Sequence, residues 1–131
     1  MKATVNWQQA LTFSGKTDSG FEQTLDGNGE ALSPMETVLL AVGACSSIDV
    51  VDILKKRRLS ITDCVCELEA TRADEPPRVF TSIHAHYRVS GDNLSDKDVA
   101  RAVSLSAEKY CSVMLMLKGN VDISTSYSIN S

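Results

Sequence analysis

The segment from Ser33 to Lys56 constrains this chain more than any other. Ser33 suits a helix N-cap, Pro34 the first helical position, and Glu36 reaches back from the third to close a capping box. Val38 to Cys45 then form eight consecutive apolar or small residues that end on a thiol. A helix apolar on every side belongs at the centre of a fold rather than on its surface. Beyond Cys45 the pattern turns amphipathic, with Ile48, Val50, Val51, Ile53 and Leu54 set against Asp49 and Asp52. The basic run Lys55 to Arg58 falls at the C-terminal end, where positive charge offsets the helix dipole. The reading is a helix over 34–56 with a thiol near its middle.

The flanking segments read as strands and shorter helices. Lys2 to Phe13 alternates loosely, and Phe21 to Leu25 is a second short run before the turn signal Asp26-Gly27-Asn28-Gly29. After the long helix come Ser60 to Arg72 and a clearly alternating Arg78 to Ser90, joined through Asp74-Glu75-Pro76-Pro77. Ser95 opens a second helix, with Leu94 and Val99 as a hydrophobic staple and Asp98 at the third position. A break is expected near Ser106 to Tyr110, then more helix to Leu117, a stop at Gly119 and a last strand over 121–129. The order β-β-(β)-α-β-β-α-α-β describes an α+β domain. At 131 residues it reads as one domain spanning 1–131. The long helix asks for more apolar cover than one such domain gives, so a homodimer is expected.

Charge and hydropathy narrow the function. The net charge is −4 and the one basic run is short, which argues against a nucleic-acid partner. Met1 to Trp7 lack the apolar core of a secretory signal, and the longest uninterrupted apolar run is well under the roughly 18 residues of a membrane helix. The expectation is a soluble cytoplasmic protein with no membrane partner. In a reducing compartment the four cysteines are free thiols at rest, and a disulfide there is transient and catalytic rather than structural.

Cysteine is the residue type with credible chemistry. Cys45 and Cys111 both sit in buried helical segments, where a thiol is either a small hydrophobe or a shielded nucleophile. Cys64 and Cys66 share one face of a strand, but C-x-C alone is no metal signature, and they read as strand thiols. His84 and His86 also share a face and read as exposed or interfacial strand residues, able to ligate a metal only with further partners. Met114 and Met116 read as core filler, with pocket lining as the alternative. No metal or cofactor is expected.

The run Ser33-Pro34-Met35-Glu36…Leu39-Leu40-Ala41-Val42-Gly43-Ala44-Cys45-Ser46-Ser47, with Lys109-Tyr110-Cys111-Ser112-Val113 far downstream, resembles the OsmC/Ohr family. Those names stand for osmotically inducible protein C and organic hydroperoxide resistance protein. The resemblance covers essentially the whole chain, and Ile48-Asp49-Val50-Val51 is similar to its YhfA-like branch. It implies an OsmC-like fold, with antiparallel sheets packed around a long central apolar helix in an intertwined homodimer.

The resemblance also implies an activity, thiol-dependent reduction of organic hydroperoxides. Cys45 would be the peroxidatic cysteine and Cys111 the resolving one, with a dithiol such as a lipoyl group as reductant. The alternative is a dimer that binds an apolar small molecule, or senses redox state, in the same interfacial pocket. Peroxidases of the family supply an arginine from the N-terminal β region, paired with a glutamate directly after the helix-opening proline. Here no arginine precedes Arg57, and Met35 follows Pro34. Lys16 and Glu36 are the candidate supporting residues in their place, Glu36 lying one residue, about 100° of helix, beyond the family's position. Lys109, near Cys111, is a further candidate to lower a thiol pKa.

Overall fold

The structure is a computed structural model that describes residues 1–130. The chain gathers into two compact units, Met1–Leu40 and the residues from Ala41 onward, with the division falling inside the long helix.

In the first unit, β1 (Ala3–Gln9), β2 (Thr12–Thr17) and β3 (Glu22–Asp26) form an antiparallel meander in that order. The single run read over Lys2 to Phe13 is therefore a hairpin. Its turn has no glycine or asparagine to announce it. Ala10 takes a positive φ of 46°, and the Trp7 indole N–H donates to the Ala10 carbonyl at 2.8 Å. Asp26 closes the unit. Its buried carboxylate accepts from the Thr12 hydroxyl at 2.6 Å and from the backbone N–H groups of Asn28 and Glu30 at 2.7 and 2.9 Å.

The long helix α1 spans Pro34–Lys56 and opens with the expected capping box. Glu36 N–H donates to Ser33 Oγ at 3.1 Å, and Ser33 N–H donates to the Glu36 carboxylate at 2.9 Å. Val42, Ser46, Val50 and Leu54, spaced four apart, make a fully buried stripe. A second stripe, Leu40, Ala44 and Ile48, lies open, with Leu40 at 54% and Ile48 at 68% exposure. Burial on every side is thus not achieved among the described residues. Among the described residues α1 is the one helix long and apolar enough to cross a bilayer, with a mean hydropathy of 1.9. It is nonetheless built into a domain, as its contacts with the second sheet show.

That sheet has the order β4-β5-β6, with β4 Ser60–Arg72, β5 Phe80–Asp92 and β6 Asp122–Asn130. β4 and β5 pair antiparallel, but β5 and β6 are parallel, which corrects the expectation of purely antiparallel sheets. The cause is the helical crossover between them, since parallel neighbours cannot be joined by a tight turn. Along β5 the residues Ile83, Ala85, Tyr87 and Val89 face inward on one parity. Phe80 is buried on the other parity because the register shifts between Thr71 and Arg72. Helix and sheet approach closely at Gly43, where a Cβ would stand 2.6 Å from Leu68 Cδ1.

The crossover begins at α2 (Asp96–Leu105), whose N-cap Ser95 accepts from Asp98 N–H at 3.1 Å. The expected break appears as a π-helical turn over Ser106–Tyr110, followed by Cys111 in an extended conformation and α3 (Ser112–Leu117). Gly119, at φ 95°, lets the chain reverse into β6. Met114 is buried as core filler, but Met116 is 72% exposed. Two residues of helix rotate a side chain by about 200°, so both cannot face the core.

Candidate functional site

Three elements of the second unit converge on one pair of sulfurs. α1 carries Cys45 on the turn just before Asp49, the π-turn delivers Cys111, and α3 starts immediately after it. The first turn of any helix leaves backbone N–H groups without intrahelical partners. In α3 these are shared between the two thiols. Met114 N–H donates to Cys111 Sγ at 3.4 Å, so Cys111 is itself the N-cap. The N–H groups of Val113 and Ser112 point to Cys45, and the Ser112 hydroxyl stands 3.7 Å from Cys45 Sγ.

The electrostatic result separates the two cysteines. Cys45 is held below its ordinary pKa, chiefly by the Val113 N–H, with burial opposing and the Ser112 and Cys111 side chains assisting. Cys111 is fully buried, and that burial pushes its thiol up to about 11, the adjacent Cys45 adding to the rise. The two thiols are near enough to shift one another, Cys111 helping to lower Cys45 and Cys45 helping to raise Cys111. The arrangement makes Cys45 the more acidic of the two thiols and keeps Cys111 protonated at neutral pH. Hydrogen-bond donors, rather than a cation, acidify Cys45.

The candidate supporting residues Glu36 and Lys16 belong to the first unit and have partners within it. Glu36 spends its carboxylate on the capping box, where the Ser33 N–H holds it below the usual carboxylate range. Lys16 pairs across β2 and β3 with Glu22 at 3.6 Å, both well exposed. Lys109 lies over the Tyr110 ring, 5.8 Å from its centroid.

Behind the thiols lies a buried polar chain that sequence reasoning missed. Tyr87 Oη donates to Ser46 Oγ at 2.5 Å, and Ser46 donates to the Val42 carbonyl at 2.8 Å. Ser106, also buried, has two acceptors on the same turn of α1, Asp49 Oδ2 at 3.0 Å and the Ser46 carbonyl at 3.2 Å. A polar run Cys45-Ser46-Ser47 inside an apolar helix is the one signal that would have pointed there. On the side of α1 that carries Asp49 and Ile53, a groove of about 550 Å³ runs past Leu105 and Tyr110.

Cys64 and Cys66 face α1 away from this pair. Cys66 lies 3.8 Å from where a Gly43 Cβ would be, and Cys64 lines a second groove with Ile48 and Val51. Burial pushes both thiols up. His84 and His86 bond to the serines of β6: His84 reaches Ser124 at 2.6 Å and Ser126 at 2.8 Å, and His86 reaches Ser126 at 2.6 Å. Among the described residues no three His, Cys, Asp or Glu side chains are placed to hold a metal ion.

A mixed-sheet α+β domain with two sheets and a long helix is the fold that the solved OsmC-like and organic hydroperoxide resistance proteins share with this chain. The OsmC-like protein family profile matches residues 27–126. Over 131 residues the chain is 52% identical to protein YhfA of Escherichia coli K12, covering 98% of each chain. The crystal structure of a hypothetical protein from Aquifex aeolicus VF5 superposes with a TM-score of 0.91 at 33% identity, covering 98% of this chain and 95% of that one. An organic hydroperoxide resistance protein OsmC from Legionella pneumophila gives 0.74 at 20% identity over 97% and 95%, a likeness of fold alone. The chain belongs to the OsmC/Ohr family.

Proposed function

We propose that this protein is a cytoplasmic thiol peroxidase that reduces organic hydroperoxides at Cys45 and resolves the product through Cys111. The observation that carries the reading is the opposed tuning of two neighbouring thiols, one acidified by backbone N–H groups and the other kept protonated by burial. The thiolate is the nucleophile of such chemistry. It attacks the outer peroxide oxygen, so that an S–O bond forms and the O–O bond breaks. The alkoxide takes up a proton and leaves as the alcohol, and Cys45 becomes a sulfenic acid. Cys111 then displaces the hydroxyl, which departs as water with the Cys111 proton, and a disulfide remains. A dithiol such as a lipoyl group returns both to thiols by exchange. The name of the Legionella relative, an organic hydroperoxide resistance protein, supports the substrate class.

The functional unit in this reading is a homodimer, with the open Leu40, Ala44 and Ile48 stripe as part of the covered face. Sedimentation of the wild type at micromolar concentration should return a dimer, and Ile48→Asp should shift it toward monomer. The function itself is tested by mixing fully reduced protein with one equivalent of cumene hydroperoxide and mapping the cysteines by non-reducing peptide mass spectrometry. A rapid Cys45–Cys111 disulfide with one equivalent of alcohol is the expected result. Four unchanged thiols would overturn it and turn attention to the same site as a pocket for an apolar small molecule.

A further inference from the structure

The π-turn over Ser106–Tyr110 places Cys111, and a π-turn is a costly device that tends to persist at functional positions. Its closing bond runs from Cys111 N–H to the Ser106 carbonyl at 2.7 Å. Wherever Ser106 sits, the backbone of Cys111 follows. Ser106 is fixed in turn by its side chain. The hydroxyl has one hydrogen and two acceptors, the Asp49 carboxylate at 3.0 Å and the Ser46 carbonyl at 3.2 Å. The nearer acceptor is charged, and bonds to charged acceptors are the stronger ones. Both acceptors belong to the α1 turn that begins at Cys45. One turn of helix therefore carries one reacting sulfur directly and anchors the other through the Ser106 hydroxyl and the Cys111 N–H bond to the Ser106 carbonyl, although the cysteines lie 66 positions apart.

We propose that Asp49 and Ser106 are positioning residues for resolution: Asp49 holds Ser106, and Ser106 holds Cys111 in register with Cys45. The proposal rests on Cys111 being the resolving thiol. In that step the Cys111 sulfur forms the S–S bond while the bond from Cys45 sulfur to its leaving group breaks. The geometric demand is narrow, because a disulfide needs Cα atoms about 4.4–6.8 Å apart with the Cβ vectors converging. With the anchor cut, the π-turn drifts relative to α1 and Cys111 meets that demand less often. The attack of Cys45 itself does not use Ser106.

The test follows the two thiols separately with 4,4′-dithiodipyridine and no hydroperoxide. Cys45 attacks the reagent and releases one thiopyridone, leaving a mixed disulfide; Cys111 then attacks the Cys45 sulfur and releases the second. Stopped-flow absorbance gives both rates, and peptide mapping assigns them to Cys45 and Cys111 rather than Cys64 and Cys66. Asp49→Ala and Ser106→Ala should leave the first release unchanged and slow the second roughly tenfold, the scale expected for losing one charge-assisted hydrogen bond. Asp49→Asn keeps an acceptor and should restore most of the second rate. An unchanged second release in both alanine variants would overturn the proposal, as would a parallel loss in both steps or an Asp49→Asn as slow as Asp49→Ala. Because no peroxide is present, a protein inert to cumene hydroperoxide would sink the peroxidase reading and leave this result standing.

Discussion

Tyr87 and Ser46 are joined by a buried hydrogen bond of 2.5 Å that ties the central strand of the second sheet to α1 one residue after Cys45. Ser46 is at once an acceptor for Tyr87 and a donor to the Val42 carbonyl, so the helix turn carrying the thiol is pinned from the sheet side. Removing one partner of such a bond leaves a buried polar atom short of a donor, at a cost of about 1–2 kcal/mol. Tyr87→Phe should lower stability in urea titrations by about that much while leaving Cys45 alkylation at pH 7 unchanged. Burial raises the phenol pKa above its ordinary 10.0, so the fold favours the neutral form. That contribution is full below pH 10 and is lost as pH climbs further. Wild type should accordingly lose stability in alkali more steeply than the phenylalanine variant.

Alkylation should separate the two site thiols by pH. The thiolate is the reactive form, and its fraction rises with pH. Cys45 is held below its ordinary 9.0 and should label with iodoacetamide with a midpoint under pH 9. Cys111, raised to about 11, should resist labelling until far higher pH. Mass spectrometry of peptides from a pH series measures both midpoints. Equal midpoints would contradict the assignment of nucleophile and resolver.

Substitution of the cysteines distinguishes the two halves of the proposed cycle. Cys45→Ser should abolish hydroperoxide consumption. Cys111→Ser should release about one equivalent of alcohol and then stall, with a dimedone-reactive sulfenic acid or higher oxides on Cys45. Consumption equal to wild type in both variants would refute the cycle.

Two glycines test how tightly the second unit is packed, Gly91 strand against strand and Gly43 helix against sheet. A Cβ at Gly91 would run into backbone, the Ser60 carbonyl and Ile61 Cα, which cannot move without opening the β4–β5 ladder. Gly91→Ala should cost about 2 kcal/mol or more by overpacking. At Gly43 the obstacle is the tip of the Leu68 side chain, 2.6 Å away. Leu68 has rotamers to yield, and alanine gains about 0.5–1 kcal/mol over glycine within a helix. Gly43→Ala should therefore be near neutral in thermal melts.

Much of this protein is written in its local sequence. The capping box at Ser33 and Glu36, the N-cap at Ser95, the break before Cys111 and the stop at Gly119 appear where the residue pattern puts them, because each depends on neighbours within a turn or two. Cys45 and Cys111 were legible as a candidate pair through the resemblance of their flanking residues to a family. The hairpin at Ala10 was not legible, since its positive φ is imposed on a residue with no preference for it and is supported by the Trp7 indole. Nor was the parallel pairing of β6, which follows from where the helical crossover returns the chain.

What only the tertiary structure decided is how Cys45 is acidified. By sequence the question was which cation replaces a missing arginine. Within the second unit the groups that lower Cys45 are hydrogen-bond donors, the backbone N–H of Val113 foremost and that of Ser112 with it. Every non-proline residue carries such an N–H, so nothing in the sequence marks these two. They become donors to Cys45 because α3 begins beside α1 with its first turn unpaired, a relation between elements far apart in the chain.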